Sequence, residues 1–270
     1  MTAAPASAGE DLLAAVTATI GRVLVSVTGV GGALAALAAA AGRRPLRRAD
    51  LATLRPLVAQ VLARHRGFAA GAGVVLAPDA LADAPRWIDW WWADEGIGQL
   101  QVDLDPGSAE FYDYTTTEWY REPARTGLPC IAGPYVDYIC TREYTFTVAV
   151  PVTAGGRFLG VAGADILASE VERMVLPGLS LLGPAHQPAV LVSGSGRVIA
   201  SSSASILPGE VLRLAGPGGD DRCGGDDRCG GDDGGGGRPG TMTASGPLPW
   251  VLLGGPASAA VARDEPATAG

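Results

Sequence analysis

Acidic and aromatic residues recur together between Phe111 and Asp165, and they are the residues of this sequence best suited to binding chemistry. Tyr135 and Asp137 are two positions apart in the strand-like run PYVDYIC, and Asp165 ends a later run, RFLGVAGAD. Residues two apart on a strand project from the same face of its sheet. We therefore expect Tyr135 and Asp137 to point into one pocket.

A small cation suits such a pocket, because carboxylates balance its charge while aromatic faces attract it electrostatically. Burying a cation without such partners costs several kcal/mol. We expect Asp137 and Asp165, on neighbouring strands, to form an acidic, ring-walled hollow for one positively charged ligand. A plainer alternative stays open, since aspartates near turns and tyrosines in half-buried strands are common without any ligand.

Catalysis is a second alternative, with Asp137 and Asp165 as the acid and base of a small hydrolase or similar enzyme. The two histidines, His65 and His186, are far in sequence from the acidic cluster, which argues against a Ser/His or Cys/His pair. The run SGSG at 193–196 lacks the leading glycine of a nucleophile elbow. The sequence has neither a phosphate-binding loop with its lysine nor a paired-histidine zinc motif. We predict no catalytic residue, no metal site and no cofactor.

A ligand-free assembly module is a third alternative. The long apolar N-terminal segment could pair with a copy of itself and form a homodimer, and this pairing is compatible with ligand binding. An assembly role alone would require the aromatic cluster to be packed without a cavity.

The charge of the chain excludes one class of partner. The chain has 28 acidic and 20 basic residues and a net charge of −8, so it lacks the positive surface that holds a phosphate backbone. We expect no direct nucleic-acid binding. The four cysteines are too sparse in 270 residues for a disulfide-stabilised scaffold.

Hydrophobic periodicity predicts the elements that position the acids. Helices are expected at 11–41 and 51–65, the second with an apolar face that covers a sheet. The block WIDWWWADEG must pack in a core or line a cavity, because a large exposed aromatic patch is a liability. A helix, ASEVERMVLPGL, closes the unit. Strands are predicted at 70–78, 99–104, 134–140, 144–152 and 157–165, and the last two form a hairpin around TAGG.

A second, smaller module follows, with strand pairs predicted within 189–202 and 241–255. The segment between them repeats GGDDRC in tandem, a composition that cannot bury apolar surface. We predict two domains: residues 8–178 hold the N-terminal helices and the main lobe, and residues 187–256 hold the second lobe. Residues 216–240 are predicted to be a disordered loop rich in Gly and Asp.

The N-terminus favours a cytoplasmic location, because MTAAPASAGED is acidic where a secretory signal is positively charged. Residues 23–42 carry no charge and precede four arginines, as a membrane span does. Ala, Gly, Ser and Thr dominate this stretch, however. We expect a helix packed on the protein itself and not a membrane anchor.

The runs WY, GPYVD, TVAVPV and LGVAGAD together resemble a double Cache sensor domain over about residues 70–175. In the amino-acid-binding members of that family, the motif is an Arg two residues before a Trp-Tyr pair, then Tyr-x-Asp, then a later Asp. Trp119 and Tyr120 match the pair. Tyr135 and Asp137 match Tyr-x-Asp, and Asp165 matches the final acid.

One residue of the motif does not carry over, because Thr117 stands where the family has the Arg that grips a ligand carboxylate. Arg121 or Arg125, from the following turn, are the candidates to replace it. The ammonium half of the site is therefore better supported than the carboxylate half. Tyr114 and Trp92 are further candidates for the pocket wall.

The resemblance implies an α/β (α+β) fold, with a long N-terminal helix packed on a PAS-like antiparallel sheet and a second, smaller Cache-like lobe. It also implies a non-catalytic sensor that binds an amine or amino-acid-like ligand. Such a sensor signals through a partner protein, for which a transcription regulator and a transporter are the candidates.

Overall fold

The computed structural model describes residues 5–42, 44–93, 97–140, 142–182, 188–212, 242–244, 248 and 250–253. The chain divides into two compact units. The main unit comprises residues 15–174, and the second unit comprises residues 1–14 and 175–270. The domain limits 8–178 and 187–256 stay predictions. The predicted disordered loop at 216–240 lies outside the described residues.

The N-terminal region is helical, as its composition predicts. Helix α1 runs uninterrupted over Pro5–Ala41, followed by a short helix α2 at Arg48–Leu51 and by α3 at Arg55–Arg64. α3 packs against the sheet of the main unit, as expected from its apolar face. Within the main unit, α1 buries an apolar residue every three or four positions, which makes one face of the helix apolar. This stripe consists of Val16, Ile20, Val23, Val27, Val30 and Leu34.

The main unit is built on one six-stranded antiparallel sheet. The strands are β1 Ala69–Leu76, β2 Ile88–Ala93, β3 Ile97–Gln99, β4 Cys130–Val136, β5 Tyr144–Ala154 and β6 Arg157–Leu167. They lie in the order β3-β2-β1-β6-β5-β4. Helix α4 (Glu118–Thr126) precedes β4, and α5 (Ala168–Leu182) follows β6.

The β5–β6 hairpin confirms the turn predicted at TAGG, but two other strand predictions were wrong in their limits. Of the predicted strand 99–104, only Gln99 lies in a strand. The aspartates that follow accept hydrogen bonds from nearby backbone N–H groups. Asp103 accepts one from the Asp105 N–H group, and Asp105 accepts one from the Gly107 N–H group. Such local bonds compete with strand pairing. The strand predicted at 134–140 instead begins at Cys130 and ends at Val136.

Helix α1 packs against one face of this sheet, where a Cβ added to Gly31 would be 3.1 Å from Val152 Cγ2. Side chains alternate along β5, so Thr147 and Ala149 project to the opposite face from Val150 and Val152. That opposite face carries the candidate site.

The second unit has its own four-stranded antiparallel sheet, made of β7 Val190–Val192, β8 Val198–Ser201, β9 Met242–Ala244 and β10 Val251–Leu253. These strands lie in the order β8-β7-β10-β9 and confirm both predicted pairs. The end of α1 that belongs to this unit lies close to α5, since a Cβ added to Gly178 would be 2.8 Å from Leu12 Cδ1.

The fold class predicted from the sequence is confirmed. The chain is a mixed α/β protein in which a long N-terminal helix packs on an antiparallel sheet, and a smaller sheet follows. On one face of its sheet, the main unit brings together side chains from five strands, β1, β2, β4, β5 and β6.

Candidate functional site

A hollow of about 430 Å³, measured with its open mouth, lies on the face of the main sheet opposite α1. Polar groups occupy one part of the wall, and rings and aliphatic side chains form the rest. The polar residues are Tyr135, Asp137, Thr147 and Asp165; the rest are Val75, Ile88, Trp90, Leu100, Tyr112, Trp119, Ile139 and Cys140.

Asp165 lies in β6 and is 6 % exposed. Its Oδ2 accepts a hydrogen bond from Trp90 Nε1 at 3.0 Å, and its Oδ1 accepts one from Thr147 Oγ1 at 2.6 Å. Gly71 of β1 lies directly across from Asp165, and a Cβ there would be 2.6 Å from Trp90 Nε1. The missing side chain at this position therefore leaves room for the bond between Trp90 and Asp165.

Asp137 follows β4 directly and is also buried. Its Oδ1 accepts hydrogen bonds from the backbone N–H groups of Ile139 and Cys140, each at 3.1 Å. Its own backbone N–H donates to the Glu143 carbonyl at 3.0 Å. The Asp137 carboxylate thus stabilises the turn between β4 and β5 and also faces the hollow.

The two acids approach each other closely. One carboxylate oxygen of Asp137, one of Asp165 and the Cys140 sulfur lie within 4.8 Å of one another, a set that could hold a metal ion. The expectation that the two acids lie on neighbouring strands is wrong. β5 lies between β4 and β6, and its Thr147 contributes to the wall between them.

Tyr135 reaches the same part of the wall from β4. Its hydroxyl is hydrogen-bonded to Thr147 Oγ1. The pairing of β4 with β5 shifts register between Ala132 and Tyr135. Tyr135 and Asp137 both line the hollow, as their spacing predicts.

Burial sets the protonation of the wall. It raises the pKa of Asp165 to about 7, an effect that the hydrogen bond from Thr147 opposes and the charge of Asp137 reinforces. Burial likewise raises the pKa of the Tyr112 and Tyr135 hydroxyls and of the Cys140 thiol, with a further rise from the acids. These three groups are therefore neutral at pH 7. Among the described residues that line the hollow, the two aspartates are the acidic groups, and none is an arginine or a lysine.

The remaining predicted wall residues separate into two groups. Trp119, on α4, lines the hollow. Tyr120 and Tyr114 do not line it and lie in the core behind it, with ring centroids 5.2 Å apart. The Tyr114 hydroxyl is fully buried and donates to the Leu76 carbonyl at 2.8 Å.

A second, more open hollow of about 780 Å³ adjoins the first and shares Trp119, Tyr135 and Asp137 with it. Thr117, at the position where the family motif has Arg, lines this outer hollow together with Glu118. Of the described residues that line either hollow, none is an arginine.

The arginines proposed to replace the missing one point elsewhere. Arg121 and Arg125 are largely exposed on α4 and form ion pairs with Glu122. Neither lines either hollow. Trp92 also lies outside both and packs beside Gly98.

Sequence reasoning missed Trp90 and Thr147 as site residues and left Tyr112 unassigned. Alternation along β2 puts Trp90 on the same face as Ile88, which is a usable signal once the strand is recognised. Thr147 has no such signal, because its role depends on its pairing with Asp165 across β5 and β6.

Residues 55–173 match the family model described as "Methyl-accepting chemotaxis protein-like, first PDC sensor domain". The chain is also 30% identical over 91 residues to the methyl-accepting chemotaxis protein TlpQ of Pseudomonas aeruginosa. That alignment covers 31% of this chain and only 13% of TlpQ.

Two solved structures are similar to this chain. The ligand-binding domain of the Pseudomonas aeruginosa amino-acid chemoreceptor PctC, solved with GABA, has a TM-score of 0.50 at 20% identity, over 88% of this chain and 91% of that one. The sensory domain of the Campylobacter jejuni chemoreceptor Tlp3, solved with isoleucine, has a TM-score of 0.49 at 15% identity, over 73% and 71%.

The predicted cytoplasmic location is wrong. The matching family is that of methyl-accepting chemotaxis receptors, whose sensor domains are extracellular. Within α1, the segment Ala8–Ala41 is also long and apolar enough to cross a membrane, by length and composition alone, and it contains an 18-residue window with a mean hydropathy of 2.0. The acidic N-terminus and the many small residues of 23–42 do not exclude a membrane-spanning helix, because the stretch is apolar on average.

Proposed function

Residues 55–173 form a PDC-type sensor domain of the Cache class, and we propose that this domain binds a small organic ammonium ion between Asp137 and Asp165. At the family level, a sensor domain of this kind is a binding module and not an enzyme. The proposed ligand contacts are Trp119, Tyr135 and the two acids, with Trp90 and Tyr112 completing the wall.

Hydrogen-bond capacity carries this proposal. An ionised carboxylate can only accept hydrogen bonds, so both acids require donors. Asp165 already accepts from Trp90 and Thr147, which leaves further lone pairs on its oxygens. An ammonium group supplies three N–H donors together with the opposite charge.

Charge supports the same ligand class. Two carboxylates within 4.8 Å repel each other in a buried site, and a cation between them relieves this repulsion. The aromatic faces of Trp119 and Tyr135 can border a cation without hydrating it. A ligand carboxylate would meet no arginine among the described residues that line either hollow.

The partner that reads the bound state follows from the relatives. Because these are chemotaxis receptors, the partner we propose is a signalling kinase, and not the transcription regulator or transporter expected from the sequence. The domain limits 8–178 and 187–256 and a homodimer through α1 remain part of this proposal.

A thermal-shift screen of the full chain tests the ligand class. The panel contains butylamine, isobutylamine and 2-phenylethylamine, each paired with the alcohol that replaces the amine by a hydroxyl. At about 100 times its Kd, a ligand adds about 2.7 kcal/mol to the free energy of unfolding. We expect at least one amine to raise the melting temperature and its paired alcohol to have no effect. Equal responses to amine and alcohol, or no response to any amine, would contradict the proposal.

A further inference from the structure

We propose that Thr147 is a positioning residue that determines the specificity of this site, because it fixes the direction of the hydrogen bonds on the wall between Tyr135 and Asp165. The inference rests on the proposed function and deepens it. It assigns a role to a buried side chain that binds no charge itself.

The position of Thr147 in the sheet makes this role possible. Thr147 is 2 % exposed in the middle of β5 and lies directly across from Asp165 on β6. On its other side, Thr147 pairs with Ala132 of β4, the strand that also carries Tyr135. Residues directly opposite in an antiparallel pair project to the same face, so the three polar side chains meet.

A count of hydrogens sets the direction of these bonds. A threonine hydroxyl carries one hydrogen. Its Oγ1 lies 2.6 Å from Asp165 Oδ1, and an ionised carboxylate can only accept, so this hydrogen goes to Asp165. The Tyr135 hydroxyl, which contacts the same Oγ1, must then donate its own hydrogen to Thr147.

As a consequence, Tyr135 and Asp165 present hydrogen-bond acceptors, and not donors, to a ligand in the hollow. Tyr135 has used its hydrogen on Thr147, so any further bond from its hydroxyl to a ligand must be accepted and not donated. When Asp165 is ionised it also only accepts, with Trp90 supplying its other hydrogen bond. In that state a ligand rich in N–H groups finds acceptors here, whereas a ligand that needs a donor from Tyr135 or Asp165 finds none. Thr147 thereby favours an ammonium over a neutral or acidic group of the same size.

Valine at position 147 is the sharpest test, because it matches threonine in shape and removes only the hydroxyl. Without it, the Tyr135 hydrogen is free to turn into the hollow and Asp165 loses one donor. Thr147→Ser is the matched control, since serine keeps the hydroxyl and drops the methyl group. Calorimetric titration of both variants and of the wild type uses isobutylamine and isobutanol from pH 6 to 9.

We expect Thr147→Val to bind isobutylamine about tenfold more weakly at pH 7, as the loss of one hydrogen bond to a charged group implies. The pH at which its affinity is half-maximal should move upward, because a donor that favours ionised Asp165 is gone. The preference of Thr147→Val for amine over alcohol should shrink. Thr147→Ser should keep the wild-type affinity, pH profile and preference for amine. Tyr112, Tyr135, Asp137 and Cys140 are the other titratable groups in this hollow, and both variants leave them in place.

The outcomes separate the two proposals. Wild-type protein that binds no amine overturns the proposed function and the role of Thr147 with it. Wild-type binding together with an unchanged affinity and pH profile in Thr147→Val overturns the role of Thr147 alone. Equal losses in Thr147→Val and Thr147→Ser, with an unshifted profile, assign Thr147 to packing and also overturn it.

Discussion

The indole nitrogen of Trp90 donates a hydrogen bond to the Asp165 carboxylate at 3.0 Å, across 75 positions of sequence. The bond joins the aromatic wall of the hollow to one of its two acids. A donor aimed at a buried carboxylate stabilises the charged form. Trp90 therefore helps to keep Asp165 ionised in a place where burial favours its neutral form.

Replacing Trp90 by Phe tests this coupling, because Phe keeps a ring but lacks the N–H group. We expect the pKa of Asp165 to rise and the affinity for an amine at pH 7 to fall several-fold. The loss should shrink near pH 9, where Asp165 is ionised in both proteins. Amine titrations at the two pH values measure this, with Trp92→Phe as the control outside the hollow. An equal loss at both pH values would show that Trp90 acts only through its size.

Amine binding should also depend on pH in the unmodified protein. The pKa of Asp165 in the empty hollow is about 7, and only the ionised form attracts an ammonium group. Affinity should therefore rise by about tenfold between pH 6 and pH 8, following the ionised fraction of this acid. Calorimetry at several pH values measures the profile. A flat profile over this range would mean that Asp165 does not take part in binding.

The same shift has an opposite effect on the stability of the ligand-free protein. The folded-state pKa of Asp165 lies above the ordinary value of 3.8, so this acid stabilises the fold below about pH 4. That contribution is lost as the pH rises through about 7. In Asp165→Asn, the free energy of unfolding should therefore decline less between pH 4 and pH 8 than it does in the wild type. Urea denaturation at each pH measures this, and an unchanged decline would contradict the buried, shifted acid.

Tyr114 allows the core to be separated from the binding site. Its hydroxyl donates to the Leu76 carbonyl, and the ring lies behind the hollow wall. Tyr114→Phe should lower the free energy of unfolding by about 1 to 2 kcal/mol, because the buried carbonyl loses its donor. The affinity for an amine should stay unchanged. A large loss of affinity in a folded Tyr114→Phe variant would show that this tyrosine takes part in ligand binding.

Local patterns predicted much of this fold. The β5–β6 hairpin follows from two apolar runs around TAGG, and α3 follows from apolar residues at helical spacing. The shared face of Tyr135 and Asp137 follows from their spacing of two. These features depend on residues close together in the chain, so their signals are in the sequence itself.

Features that depend on strand order could not be predicted in the same way. The sequence does not show that β5 lies between the strands of the two acids, so Thr147 was missed. Nor does it show which tryptophan of WIDWWWADEG meets Asp165, since that depends on the register of β2 against β1. The candidates to replace the motif Arg, Arg121 and Arg125, line neither hollow, and both form ion pairs with a neighbouring acid, Glu122.

The charge of Asp137 gives the most direct test of the binding site. Asp137→Asn keeps a side-chain oxygen for the Ile139 and Cys140 N–H groups and removes only the charge. Calorimetric titration of the best amine from the screen should show at least tenfold weaker binding to Asp137→Asn than to the wild type, as expected for a lost charged partner in a buried site. Glu110→Gln, the same change at an exposed acid outside the hollow, should bind like the wild type. Equal affinity in all three proteins would contradict an ammonium site between the two aspartates.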